Sequence, residues 1–247
     1  MRLAGFGVTV DLEAPGEVLD QVAADVAFFL QPVAEPTEST VERVTVAIEH
    51  DGPDTLRWRH GEASGTERTV DALCAAVRKQ LEQHVAEHSP THVFVHAGVV
   101  VVNGRAIVLP GRSFTGKSTA TEALVDAGAT YYSDEYAVLD TDGLVHAFPR
   151  PINRRTGEGV ALVRLDGGGP PVPAGTVALA RYVAGAEWRP VPVDTGEAVL
   201  QVIEQTVGAR TDPPRVLHCL TAALERATVL RGERGDAATF ARLLLDD

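Results

Sequence analysis

The chain lacks several features, and each absence narrows what it can be. No basic run appears anywhere in its 247 residues, and the formal net charge is −12. A nucleic-acid surface needs clustered Lys and Arg to displace counterions, so no nucleic-acid partner is expected. Cysteine is sparse. Cys74 and Cys219 lie far apart, neither has a second cysteine at metal-ligand spacing, and each falls in a helix-like apolar pattern that makes it a small buried hydrophobe. Such usage fits a reducing compartment, and the expected localisation is cytoplasmic. No apolar run approaches the length of a membrane span, and the first residues alternate Phe6, Val8, Val10 and Leu12 with Gly7, Thr9 and Asp11 instead of forming a secretory hydrophobic segment. No membrane association is expected. There is no internal repeat, no low-complexity tail and no Asn-Lys-x-Asp guanine motif, so ATP is preferred over GTP.

What is present suits one large domain or a core with a smaller appendage, because 45% of the residues are hydrophobic. After a first strand, Pro15 opens a helix with the stripe Val18, Val22, Val26 and Phe29, and residues 31–39 read as a loop. Val44, Val46 and Ile48 alternate as a strand, and Asp51-Gly-Pro-Asp54 turns the chain into a second strand with Leu56 and Trp58. Residues 61–66 read as a polar loop before a helix carrying Val70, Leu73, Val77, Leu81 and Val85, which Ser89-Pro90 stops. From Val93 the pattern changes, so the domain boundary is placed there, dividing residues 1–90 from 91–247. Residues 99–102 and 105–110 flank an Asn103-Gly104 hairpin signal. A helix from Lys117 to Ala127 is ended by Gly128, and strands are expected over 130–133, 136–139, 144–147, 162–165, 177–183, 188–193 and 228–230. The Gly- and Pro-rich stretch 166–175 reads as a surface connection, with a mobile lid as the alternative. Asp194 and Glu197 form a capping pair, and further helices are expected from Pro214 and Asp236.

The most specific signal is Gly111-Arg-Ser-Phe-Thr-Gly116-Lys117-Ser118, a complete G-x-x-x-x-G-K-S phosphate loop between an apolar strand and a helix. Its glycines let consecutive N–H groups turn inward as an anion nest, filled by phosphate oxygens against Gly111, Arg112, Ser113, Phe114, Thr115 and Gly116. Lys117 then brings a point charge to the outer phosphates, and the Ser118 hydroxyl is placed for Mg2+. Downstream stand Asp134-Glu135, leaving a strand beside the loop. An acid in that position serves either as a general base or as a holder of Mg2+ or its water. His96 upstream, a lone histidine on an apolar strand, reads by itself as a satisfied core residue. Arg154 and Arg155 follow a Pro-Arg-Pro turn and are candidates to clamp phosphates bidentately, with Arg150 a third of the kind; surface arginines are the bland alternative. His50, His60, His84, His88, His92, His146 and His218 show no ligand spacing.

The run from His96-Ala-Gly-Val-Val-Val-Val-Asn-Gly through Arg-Ala-Ile-Val-Leu-Pro-Gly111, followed by Gly116-Lys117-Ser118 and the acidic pair, resembles the catalytic domain of HPr kinase/phosphorylase and its shorter HPr-kinase-like relatives. These share a core with phosphoenolpyruvate carboxykinase. The resemblance covers about residues 93–151 with specific motifs and, more loosely, the rest to the C-terminus; the first ninety or so residues do not match the regulatory domain of the long members and look like the variable N-terminal portion of the kinase-like relatives. It implies an α/β fold, a P-loop kinase core of this type over 91–247 preceded by a small N-terminal α+β domain over 1–90 that is a candidate for substrate recognition. It further implies an ATP-dependent phosphotransferase with Mg2+, in which Asp134 takes the proton of an acceptor hydroxyl on a protein, a peptide or a small alcohol. On the same likeness Glu135 binds metal or substrate, and His96 orients or tunes the base. The related kinases tend to assemble, which makes a homo-oligomer an expectation here. Two departures stand out: Thr119 occupies the place of an acidic residue that helps with metal, and the glycine-rich signature linked to phosphorolysis is missing. The rival readings are a nucleotide-responsive peptide-binding module and an ATPase that activates water.

Overall fold

The computed structural model describes residues 1–34, 42–111, 116–156 and 159–246; for Asn153, Arg155, Thr156, Gly159, Val160, Ala161 and Asp246 it describes the backbone alone. The chain divides into two compact units, Met1–His92 and Val93–Asp247. It is a mixed α/β protein with six helices among the described residues. None of these helices is long and apolar enough to cross a membrane.

The first unit contains β1 (Arg2–Gly5), β2 (Val8–Glu13), α1 (Gly16–Val26), β3 (Gln31–Pro32), β4 (Glu42–His50), β5 (Leu56–His60), β6 (Ala63–Glu67) and α2 (Val70–His88). Its strands form one sheet in the order β3-β1-β2-β4-β5-β6, with β2 parallel to β4 across α1. Val8, Val10 and Leu12 bury one face of β2, and the stripes Val18, Val22, Val26 on α1 and Leu73, Val77, Leu81, Val85 on α2 bury the helices. A buried ion pair, Arg78 to Asp25 at 2.5 Å, ties α2 to α1. The expected loop at 61–66 is instead the edge strand β6, paired to β5 from His60 with Ala63 to Leu56 with Glu67. Gly65 permits it, since a Cβ there would lie 2.6 Å from the Trp58 indole nitrogen. Of the expected loop over 31–39, residues 31–32 form β3 and residues 35–39 lie outside the described residues.

The second unit contains β7 (Val93–Val102), β8 (Arg105–Pro110), α3 (Lys117–Asp126), β9 (Thr130–Ser133), β10 (Tyr136–Leu139), β11 (Leu144–His146), β12 (Ile152–Thr156), β13 (Gly159–Val163), β14 (Val172–Tyr182), β15 (Val191–Pro192), α4 (Thr195–Ile203), α5 (Pro213–Leu224), β16 (Thr228–Arg234) and α6 (Ala237–Asp246). Its main sheet runs β11-β10-β7-β8-β14-β16-β15, with β9 also on β7, and β12 pairs with β13 in a separate hairpin. Both faces are covered, which explains the unbroken apolar runs of β7 and β8. Val93, Val95, Ala97, Val99 and Val108 pack with α4 and α5, while Val100, Ile107 and Leu109 pack with α3 and α6. Asn103 and Gly104 turn β7 into β8 with φ of 51° and 73°, the doubly positive geometry that the sequence signal requires.

Several expected boundaries move. The strand over 188–193 shrinks to β15, because Pro190 and Pro192 cannot donate to a ladder. The strand at 228–230 extends to Arg234. The β12–β13 hairpin includes the expected strand at 162–165 only in part. The stretch 166–175 shortens because β14 begins at Val172. Gly168 donates to the Tyr131 carbonyl at 2.8 Å and the Tyr132 hydroxyl donates to the Pro170 carbonyl at 2.8 Å, so the connection lies fastened along β9.

Candidate active site

The site is organised by one position on β7. In the β7–β8 hairpin Ala97 faces Pro110, so His96 stands opposite the first glycine of the phosphate loop, and the Gly111 N–H donates to the His96 carbonyl at 3.0 Å. On the other side of β7, Tyr136 faces His96 and the Ala97 N–H donates to the Glu135 carbonyl at 3.0 Å. The loop and the acidic pair therefore meet on two edges of the same strand. The pair itself sits in a break between β9 and β10, which both run along β7. The buried Ser133 makes that break: its hydroxyl oxygen accepts the N–H groups of Glu135 and Tyr136 at 3.2 and 3.0 Å, diverting the backbone from the ladder. Gly98 lets α3 approach at this level, because a Cβ on it would collide with the Thr121 hydroxyl.

Arg112, Ser113, Phe114 and Thr115 lie outside the described residues. At the far end of the loop Gly116 has φ of 82°, a conformation that favours glycine, and it leads directly into α3. Lys117 and Ser118 occupy the first turn of that helix, and Thr119 beside them is exposed. The Ser118 hydroxyl donates to Asp134 Oδ2 at 2.9 Å. Asp134 Oδ1 is buried and has no hydrogen-bond partner among the described residues. Burial pushes the Asp134 carboxyl up to about 6, against the opposing pull of the Ser118 hydrogen bond and the Arg150 and Lys117 charges, with the neighbouring Glu135 adding to the rise. Burial also lowers the Lys117 ammonium, while the charges of Glu135 and Asp134 hold it up.

Glu135 is treated differently. Arg150 Nη1 lies 2.7 Å from its Oε2, and His96 Nδ1 lies 3.4 Å from its Oε1. Burial, the largest single influence, raises the Glu135 carboxyl, but the His96 hydrogen bond and the charges of Arg150, His96 and Lys117 together outweigh it and hold the group below its ordinary value. The His96 ring also packs against Tyr136, with centroids 4.9 Å apart.

The arginines distribute unequally. Among the described arginine side chains Arg150 is the one that reaches the acidic pair. Arg154, on β12, is engaged by Glu122 of α3, with Nη2 to Oε2 at 3.0 Å, and is not hydrogen-bonded to either acid. Arg155 has its backbone in β12, and its side chain lies outside the described residues. Sequence reasoning missed Arg234 altogether. This arginine, 3% exposed at the end of β16, donates to the Gly116 carbonyl at 2.8 Å and lies over the rings of Tyr182 and Phe240. It fixes the glycine at which the loop becomes a helix. No sequence signal marks it, since its partner is more than a hundred residues away.

The oxygen donors fit magnesium. Ser118 supplies a hydroxyl and Asp134 a carboxylate with one unpartnered buried oxygen, and Mg2+ is commonly held by one or two such groups completed by water and substrate phosphates. Among the described residues no group of three or more His, Cys, Asp or Glu side chains is arranged to hold a metal unaided. Chemically, the described residues offer a left-handed glycine opening a helix, a lysine in that helix's first turn, a carboxyl pushed up to about 6 and a second carboxylate held below its ordinary value. No known protein-family model matches the chain, and no curated protein gives a match.

Proposed function

We propose that the second unit is an ATP-dependent kinase core of the HPr-kinase-like type, transferring the γ-phosphoryl group to a hydroxyl of a protein, a peptide or a small alcohol. The observation that carries this reading is the divided acidic pair beside the phosphate loop: Asp134 is raised to about 6 while Glu135 is held low. Neighbouring carboxyls pushed apart in this way take different roles, and the raised one is suited to accept a proton near neutral pH.

In the proposed reaction the acceptor oxygen attacks the γ phosphorus, its proton passes to Asp134, and the β–γ bridging oxygen leaves with the bond electrons as ADP. Lys117 and the loop N–H groups offset the phosphate charge, and the Glu135, Arg150 and His96 cluster fixes the neighbouring carboxylate. Ser118 would hold Mg2+, which when bound neutralises phosphate charge. Positioning and electrostatics supply most of the rate in such transfers.

The Ser118–Asp134 hydrogen bond also favours a second role for Asp134, that of a metal holder beside the Ser118 hydroxyl. One experiment separates the two. The protein is incubated with Mg-ATP and serine-containing peptides or small alcohols, and the acceptors are weighed by mass spectrometry for a gain of about 80 daltons, one phosphoryl group. Asp134→Asn is expected to abolish the gain while keeping ATP affinity; lost affinity instead assigns Asp134 to the metal. Phosphate release without any modified acceptor would make the protein an ATPase, and binding of ATP without turnover would make it a nucleotide-responsive module.

A further inference from the structure

The acidic cluster occupies the β7 flank of β8. On the other flank, at the carboxyl ends of the parallel strands β8, β14 and β16, the structure holds a groove of about 670 Å3, walled by β15 and the end of α4. Crevices beyond the carboxyl ends of parallel strands are where α/β sheets receive ligands, and this volume lies within the usual range for an organic guest. Gly111, the first glycine of the phosphate loop, lines it. A ligand seated on the loop can therefore continue into the groove.

We propose that this groove takes the nucleoside half of the nucleotide, base and ribose, while the triphosphate runs along the loop toward Asp134. The assignment rests on the kinase reading. If the terminal phosphorus is to face Asp134, the opposite end of the nucleotide must leave the loop away from β7, and the groove lies on that side. Its walls are polar and each of their arginines is paired with a carboxylate, Arg181 with Glu233, Arg231 with Glu197 and Arg189 with Glu187, with Glu204 outside these pairs. A guest with net charge gains little from such walls. A neutral guest with hydrogen-bonding edges gains more, and Arg181 and Arg231 on the wall carry guanidinium groups of the kind on which bases stack. Gln205 and Glu204, also on the wall, offer an amide to a base edge and a carboxylate to ribose hydroxyls.

The test measures the affinities of Mg-ATP and Mg-tripolyphosphate by calorimetry for the native protein and for Val191→Trp and Glu204→Trp. Both positions line the groove and are exposed, so the added indole fills it without disturbing the core, and circular dichroism melting checks each fold. The native protein should bind ATP more tightly than tripolyphosphate. Each variant should lose about tenfold or more for ATP and stay within about twofold for tripolyphosphate. Unchanged ATP affinity in both folded variants overturns the groove assignment and leaves the phosphate-loop reading standing; if transfer alone is lost, the groove belongs to the acceptor. A native protein that binds neither compound overturns both readings.

Discussion

On the kinase reading, Asp134→Asn should stabilise the protein that it inactivates. Burial raises the Asp134 carboxyl from 3.8 to about 6, so in the folded state the ionised form is disfavoured relative to the unfolded chain. At about 1.4 kcal/mol per tenfold change in proton affinity, the penalty on the folded protein reaches about 3 kcal/mol once both states are ionised. The sign follows from the folded value being the higher one. The contribution is fully favourable below pH 3.8, declines as pH rises, and is lost above about 6. Asparagine carries no charge and its carbonyl can still accept the Ser118 hydrogen bond, so the variant lacks this decline. Urea unfolding of the nucleotide-free protein in EDTA, followed by Trp188 fluorescence in a Trp58→Phe background, reports the second unit, where Trp188 packs on Phe240. Measured against the parent, the variant's advantage should grow from nothing near pH 4 to about 2–3 kcal/mol at pH 8. Equal stabilities at pH 8, or a less stable variant, would refute the account of Asp134 as a carboxylate held charged at a cost.

Two further outcomes are expected. Arg234→Met removes the donor to the Gly116 carbonyl and should raise the KM for ATP far more than it lowers kcat, with Arg234→Lys restoring little because an ammonium lacks the fork; an unchanged KM in initial-rate kinetics would contradict the role given to this arginine. In the first unit, burial and the charges of His88 and His60 depress the His84 imidazole from 6.5 to about 4, so stability from this group is present above pH 6.5 and is lost as pH falls toward 4. After discounting for its partial exposure the loss is about 1–2 kcal/mol, visible in the unfolding of a Trp188→Phe background and missing in His84→Gln.

Much of the site is legible once a single turn is placed. Asn103-Gly104 fixes the register of β7 against β8, and counting outward from that turn puts His96 opposite Gly111. The phosphate loop is legible for a related reason: its geometry demands particular glycines, a lysine and a hydroxyl at set spacings, so chemistry is written in local sequence. Arg234, the Arg150–Glu135 contact and the Arg78–Asp25 pair are not legible, because what defines them is a partner brought near by packing. Strand β6 escaped for the opposite reason. Its residues are mostly small and polar, and what makes them a strand is their pairing along β5, where Gly65 leaves room for Trp58.

The two acids show how packing turns a repeated residue type into two different groups. Adjacent carboxyls in a partly buried cleft cannot both ionise freely, since each raises the proton affinity of the other. The fold resolves this asymmetrically. Glu135 receives Arg150 and His96, so it stays charged and cannot readily take up a proton. Among the described residues the Ser118 hydroxyl is the hydrogen-bond donor to Asp134 and Oδ1 has no partner, so burial outweighs the pull of the Arg150 and Lys117 charges and the group remains near the point where gaining a proton is easy. On the kinase reading the asymmetry has a consequence for mutation: removing Arg150 should erode the distinction between the acids. Arg150→Met would then raise the affinity of Glu135 for protons, weaken the ionised Asp134 as well, and shift the acid limb of the transfer rate to higher pH, whereas a merely structural arginine would lower the rate equally at every pH.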